Sequence, residues 1–336
     1  MTGARAARKN SGGKDLQGRL RDSMSRAFVF PGQGSQAVGM GRALAEALPI
    51  AREVFEEVDD ALGQGLSRLM FEGPEEELVL TENAQPALMA VSVAVARALE
   101  KDGGLDLGVH CAFVAGHSLG EYSALCAAGA LPLDVTARLL KQRGRAMQQA
   151  VPVGVGAMAA LLGLEFDAAR AVAADAAQGE VCETANDNAP GQVVVSGHAS
   201  AVERAVELSK ERGARRPMLL SVSAPFHCSL MQPAADVMAE ALAGAPLTAP
   251  RVPLVANVTA EAVRDPDEIR DLLVKQVTAM VRWRESVLYM KAHDVDTLIE
   301  VGSGRVLTTM LKRIDRDLVG SAIGTPEEIE AYLKRV

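Results

Sequence analysis

Residues 114–125 read VAGHSLGEYSAL: an apolar run, then Gly116-His117-Ser118-Leu119-Gly120, then a helix-like run. A serine between two glycines, with a strand before it and a helix after it, fits the turn that exposes a nucleophilic hydroxyl. The N-terminus of the following helix would stand beside that hydroxyl. The N–H of Leu119 would then point at an oxyanion, assisted by the helix dipole. The competing reading is a glycine-rich bend that packs a helix closely on a sheet.

Working outward, Ala27–Phe30 reads as a short buried strand ended by Pro31-Gly32. A helical stretch over 39–62 is expected to break near Pro49. Residues 86–99 and 134–151 read as helices, and residues 111–115 as a strand. This alternation predicts an α/β fold with a parallel sheet. The character changes after Pro152. Strands at 156–162, 193–196 and 218–222 alternate with helices at 166–177 and 201–212, which predicts a small ferredoxin-like α+β subdomain. After Pro225 the larger elements resume, and DTLIEVGSGRVL (296–307) is again strand, glycine turn and helix. The expected organisation is a basic, disordered leader over 1–26, a main domain in two pieces (27–151 and 225–336), and an inserted subdomain over 152–224.

Composition narrows the function. The 336 residues carry a formal net charge of −8, against the basic footprint of a nucleic-acid binder. Aromatics make up 3%, so the core is expected to be aliphatic and alanine-rich. The longest apolar runs fall short of the ~18 residues of a membrane span. The four cysteines, Cys111, Cys126, Cys182 and Cys228, form no C-x-x-C, which suits a reducing, cytoplasmic setting. The five histidines have no ligand spacing, so no metal is expected. The leader holds seven basic residues against Asp15 and Asp22, a pattern shared by disordered leaders and transit peptides.

GQGSQA (32–37) fits the dinucleotide fingerprint G-x-G-x-x-G/A. It lacks the second strand ending in an acidic residue ~20 positions on, so nucleotide binding is disfavoured.

A serine hydroxyl needs a base, and histidine is the usual one. His117 adjoins the serine and should point elsewhere. His110 precedes the strand, His293 lies in a polar link, and His198 follows a strand of the small block. His227, in SVSAPFHCSLM (221–231), sits in a proline-containing turn and follows the serine in chain order. Cys228 is the alternative nucleophile, against its reading as a small buried hydrophobe. Arg143 lies on a helix two positions from Lys141 and from Arg145, about 200° around the axis, so it is expected to point inward alone. A buried guanidinium needs an anion.

FVFPGQGSQAVGMG, GHSLGEYSAL, KQRGRAMQQA, PGQVVVSGH, SAPFHCSLMQPAA and EVGSGRVLTTMLKR occur in this order. Together they resemble the malonyl-CoA:acyl-carrier-protein transacylases of fatty-acid synthesis, relatives of polyketide synthase acyltransferase domains, from Ala27 to the C-terminus. The resemblance implies an α/β-hydrolase-like domain with the inserted subdomain. It implies Ser118 as the acylated nucleophile, His227 as its base and Arg143 as the grip on the malonyl carboxylate. Gln33 and Leu119 would supply the oxyanion-hole N–H groups, and the main chain of Gln276 would orient the histidine. Phe226 stands where many bacterial members have serine, and resembles the malonyl-selective polyketide version. The implied partners are malonyl-CoA and an acidic acyl carrier protein, with no cofactor and a monomeric enzyme. The candidate docking patches are Lys312-Arg313 and the 141–145 helix. The rivals are a thioesterase, for which Asp134, Asp167, Asp175 and Asp187 are the available acids between serine and histidine, and a non-catalytic carrier- or CoA-binding module.

Overall fold

The computed structural model describes residues 25–336. The expected leader lies outside the described residues except for its last two positions. Arg26 already belongs to the first strand and pairs with Thr297, so that strand starts one residue before the expected boundary.

The chain is mixed α/β with two sheets. The strands are β1 (Arg26–Phe30), β2 (Phe113–Gly116), β3 (Gly156–Leu162), β4 (Cys182–Ala189), β5 (Gln192–His198), β6 (Arg216–Leu219), β7 (Leu254–Val255), β8 (Ala262–Val263), β9 (Thr297–Val301) and β10 (Val319–Ile323). The larger sheet has the order β10-β9-β1-β2-β7-β8 and is parallel except for the edge pair β7/β8. Strand residues alternate between its two faces. Phe28, Phe30 and Val114 pack into one aliphatic layer that includes Leu88, Val91 and Val95. Ala27, Val29 and Ala115 face the opposite layer, built around Trp283, Val287 and Leu307. Burial on both faces is what a parallel sheet requires.

The helix Thr81–Lys101 crosses the first layer, and most of its residues are buried. It starts five residues before the expected position and takes Pro86 inside. The added turn brings Thr81, Asn83 and Gln85 into the interior. The break near Pro49 is real: Arg42–Ala47 and Pro49–Leu62 are separate helices.

The second sheet is antiparallel, in the order β4-β5-β3-β6. Helices Phe166–Ala177 and Ala199–Glu211 bury Val172, Ala173, Val202 and Ala205 against Leu161, Val193 and Val195. The sequence reading predicted three strands here and missed β4. Its CETANDNA sequence has no apolar alternation, yet Asn186, Asp187 and Asn188 are buried. Asn188 and one oxygen of Asp187 find partners outside the small sheet. His117 Nε2 donates to Asn188 Oδ1 at 2.9 Å, and Arg284 holds Asp187 at 2.8 Å.

No helix among the described residues is long and apolar enough to cross a membrane.

Candidate active site

Parallel strands deliver their C-terminal ends side by side, and ligands of such sheets bind in the crevice outside those ends. Here β1 ends before Pro31-Gly32-Gln33, β2 before His117-Ser118, and β7 before Asn257. The turn after β2 is as tight as its glycines suggest. A side chain at Gly116 would run into the backbone of Gly120, and one at Gly120 into the Phe30 carbonyl. Ser118 takes φ 53°, the left-handed region that L-residues occupy at a cost.

Two side chains pin the serine peptide from either side. Ser118 N–H donates to Asn257 Oδ1 at 2.8 Å, and Asn257 Nδ2 donates to the Gly116 carbonyl at 2.7 Å. Gln276 Nε2 donates to the Ser118 carbonyl at 3.0 Å.

The hydroxyl faces His227, with Oγ 2.8 Å from Nε2. The Nδ1 of His227 lies 2.9 Å from the Gln276 carbonyl and 3.2 Å from that of Ala279. Carbonyls only accept, so Nδ1 carries the proton and Nε2 is left to accept from the serine. Burial, with the Arg143 charge as the next contribution, pushes the imidazole down to about 3. It therefore stands neutral and ready as a base.

Arg143 is 1% exposed. Its Nη2 donates to Ser118 Oγ at 3.1 Å and to Gln276 Oε1 at 2.8 Å, and its Nη1 donates to Gln85 Oε1 at 2.8 Å. Every acceptor is neutral, and Nε has no partner. A buried cation whose direct acceptors are all neutral, with an orphan N–H and Glu121 reaching it only through space, has room for an anion in direct contact. Burial lowers its pKa, though guanidinium remains charged.

The site residues named from the sequence converge on one cavity of about 350 Å³, lined by Gln33, Ser118, Leu119, Arg143, Phe226 and His227 among others. Gln276 lies buried behind it. The expectation for the flanking basic residues needs correction. Arg143 does point inward, but Lys141 is not on a solvated face. It is buried and donates to Gln64 Oε1 at 2.8 Å and Asn83 Oδ1 at 2.7 Å. Arg145 pairs with Glu82 at 2.7 Å. Of the two candidate docking patches, only Lys312-Arg313 is fully exposed.

The alternatives fall away. Cys228 is buried, its Sγ is turned to the Pro225 carbonyl at 3.1 Å, and burial pushes its thiol up to about 11. His198 accepts from Val181 N–H, and His110 and His293 turn to carbonyls of their own helices. Asp134, Asp167, Asp175 and Asp187 pair with Arg138, Arg170, Arg212 and Arg284. Two carbonyls stand where a hydrolase triad would place an acid.

Sequence reasoning missed Gln85, Glu121, Asn188 and Asn257. Glu121, on the first turn of the helix Gly120–Ala127, accepts from Asn257 N–H at 2.7 Å and from Gln276 Nε2. Burial pushes its carboxyl up to about 8, against those two donors and the Arg143 charge. Among the described residues, no cluster of three or more His, Cys, Asp or Glu side chains is arranged to hold a metal.

Residues 27–322 match the acyl transferase domain family. The chain is 48% identical over 308 residues to the malonyl CoA-acyl carrier protein transacylase of Escherichia coli strain K12, covering 92% of this chain and 98% of that one. The Bacillus subtilis strain 168 protein of the same name is 45% identical over 309 residues, with 92% and 96% covered. An acyl-carrier-protein-S-malonyltransferase from Bartonella henselae superimposes with a TM-score of 0.91 at 55% identity, over 93% of this chain and 99% of that one. A malonyl-transacylase solved in complex with a type II PKS acyl-carrier protein gives 0.90 at 43% identity, over 93% and 100%. By sequence, by fold and by the length of chain matched, this protein belongs to the acyl transferase domain family, among the malonyl CoA-acyl carrier protein transacylases.

Proposed function

We propose that the chain moves a malonyl group from malonyl-CoA to the phosphopantetheine thiol of acyl carrier protein, by way of a malonyl ester on Ser118. One observation carries the assignment of roles. The Ser118 hydroxyl sits between a neutral imidazole 2.8 Å away and a buried guanidinium 3.1 Å away. The first is a base, and the second is a receptor for a carboxylate.

In the first half-reaction the Ser118 proton passes to His227 Nε2 as Oγ bonds to the thioester carbonyl carbon. The N–H groups of Leu119 and Gln33 receive the oxyanion. The C–S bond then breaks, and the departing CoA sulfur takes the proton from His227. In the second half the carrier thiol gives its proton to His227, and its sulfur attacks the ester carbonyl. Oγ leaves and recovers the proton. Arg143 grips the malonyl carboxylate in both halves, exchanging a neutral acceptor for an anionic one. The backbone carbonyl of Gln276 keeps the His227 ring in register. No cofactor takes part in this exchange, and malonyl-CoA is a substrate.

The reading extends to the architecture. The larger sheet with its helices is taken as an α/β-hydrolase-like domain from residues 27–151 and 225–336. The antiparallel sheet is taken as a ferredoxin-like insertion over 152–224, supported by its two helices on one sheet and its separate core. A monomeric, cytoplasmic enzyme completes the reading, since one chain supplies every side chain of the constellation.

The test is stepwise. With malonyl-CoA alone, intact mass should rise by one malonyl group on Ser118, with a single burst of CoA. Turnover should begin only when holo acyl carrier protein is added. Steady CoA release without a carrier would make the protein a thioesterase and sink the proposal.

A further inference from the structure

Ser118 holds an unfavourable backbone conformation, and something must hold it there. Its N–H is held by Asn257 Oδ1 and its carbonyl by Gln276 Nε2. These two residues come from distant parts of the chain, the loop after β7 and the end of the helix Pro266–Gln276. They meet on one group. Glu121 takes Asn257 N–H on Oε1 and Gln276 Nε2 on Oε2. All three residues are fully enclosed.

We infer that Glu121 is a positioning residue for the acyl transfer: its carboxylate fixes Asn257 and Gln276, and through them holds the Ser118 peptide from both sides in the geometry that aims Oγ at His227.

The chemistry calls for a carboxylate, the form that prevails above about pH 8, where burial has moved this group. Two donors converge on Glu121, and an ionised carboxyl offers two acceptor oxygens and no donor. The carboxylate also fixes which way the Gln276 amide faces. With Nε2 on Glu121 and on the Ser118 carbonyl, Oε1 is left for Arg143. A flipped amide would set NH2 against a guanidinium and oxygen against two acceptors. Glutamine at position 121 has the same shape but one acceptor oxygen. It must release one of the two donors or oppose NH2 to it. The serine then loses one of its two restraints, and misplacing a reacting group by about 1 Å costs up to ~100-fold in rate.

This inference rests on the proposed roles of Ser118 and His227, so the experiment keeps the two apart. Single-turnover acylation is measured at pH 8.5, with malonyl-CoA and with p-nitrophenyl acetate as a neutral probe that makes no use of Arg143. The enzymes are wild type, Glu121→Gln, Gln276→Ala, the double variant and His227→Ala. Glu121→Gln should lower the rate constant about 10- to 100-fold on both substrates, with KM for malonyl-CoA unchanged. A fold defect would lower the reacting fraction and leave the rate constant of the remainder intact. The double variant should fall well short of the product of the two single losses, because Glu121 acts in part through Gln276. An unchanged rate constant in Glu121→Gln, or losses that multiply in the double variant, would overturn the inference. If His227→Ala also reacts at the wild-type rate, the proposed roles fall with it. If His227→Ala is crippled while Glu121→Gln is normal, only the inference about Glu121 falls. Should Glu121→Gln fail to fold, the wild-type enzyme still decides. One Gln276 Nε2 proton, assigned by its loss in Gln276→Ala, should resonate downfield and exchange slowly with solvent. An ordinary, fast-exchanging pair would rule the carboxylate contact out.

Discussion

Ser118 and His227 meet at 2.8 Å between Oγ and Nε2, and both hold left-handed backbone, with φ of 53° and 59°. Both groups of the proposed proton transfer are thus presented from conformations that side-chain-bearing residues avoid. The left-handed region costs about 1–2 kcal/mol for such a residue, whereas glycine enters it freely. Alanine normally outranks glycine by about 0.4–1 kcal/mol through the unfolded chain. At position 118 the order should invert. Ser118→Gly should be more stable than Ser118→Ala by on the order of 0.5–1 kcal/mol in denaturant titrations. Neither variant should form an acyl-enzyme. Malonyl uptake at Cys228 in either one would show that the nucleophile is elsewhere.

Removal of the base should slow acylation by about 10²–10⁴-fold in His227→Ala. The pH profile adds a sharper check. Burial, then the Arg143 charge, depresses the folded imidazole from 6.5 to about 3. A depressed histidine is neutral in the folded protein while the unfolded chain would take up a proton. The base form therefore persists on acidification, and its contribution to stability fades as pH falls below about 6.5. The limb that His227 sets should lie well below pH 6, apart from the one that ionisation of Glu121 sets at about 8. Arg143→Ala takes away a cation and should move the His227 limb upward. An inflection near 6.5 that ignores Arg143 would contradict the electrostatics of the site.

Selectivity should follow Arg143. Malonyl differs from acetyl by one carboxylate. Two charge-assisted hydrogen bonds of about 1.5–3 kcal/mol each correspond to roughly 10²–10⁴ in kcat/KM. Arg143→Ala should lose about that factor with malonyl-CoA while acetyl transfer stays level or rises. Lysine should rescue only partly, because it keeps the charge but lacks the fork. Equal losses on both substrates would make Arg143 a structural residue.

Gly120 is a packing requirement. Its missing side chain lets the helix after the serine approach the Phe30 carbonyl, which is backbone and cannot swing aside. Gly120→Ala should therefore destabilise the protein by about 3 kcal/mol or more, at the upper end for overpacking. It should also depress acylation by tilting that helix. A melting temperature within a degree of wild type would show that the sheet yields at no cost.

The strand–turn–helix around Ser118, the inward arginine and the parallel sheet were legible because each has a local signature: glycines at fixed offsets, a helical angle, an apolar run. The strand β4 was not. CETANDNA puts Asn186, Asp187 and Asn188 in the interior, and the partners of Asn188 and Asp187, His117 and Arg284, lie far off in the chain. Asn257 and Gln85 were invisible for the same reason, since single amides in unremarkable contexts take their meaning from a partner. Lys141 was misread because its helical angle from Arg143 was taken to lead to solvent. It leads instead to Asn83 on the early turn of the helix Thr81–Lys101 that the sequence reading had left out. Only Glu121 left a faint signal, as the sole charge in a helix whose other residues are small or apolar.

The two carbonyls behind His227 bear on the lifetime of the proposed acyl-serine. They align the ring but bring no negative charge to stabilise an imidazolium, so the base is weak. A weak base is adequate for a thiol, whose proton is held with a pKa near 8.5, whereas a hydroxyl as weakly acidic as water, at about 15.7, also needs the fixed contact that Ser118 makes with Nε2 at 2.8 Å. Solvent that reaches the malonyl ester finds little help in losing its proton, whereas a carrier thiol needs little. The intermediate can therefore wait, charged, until a carrier arrives. The acidity of the incoming nucleophile thus weighs toward transfer and against waste.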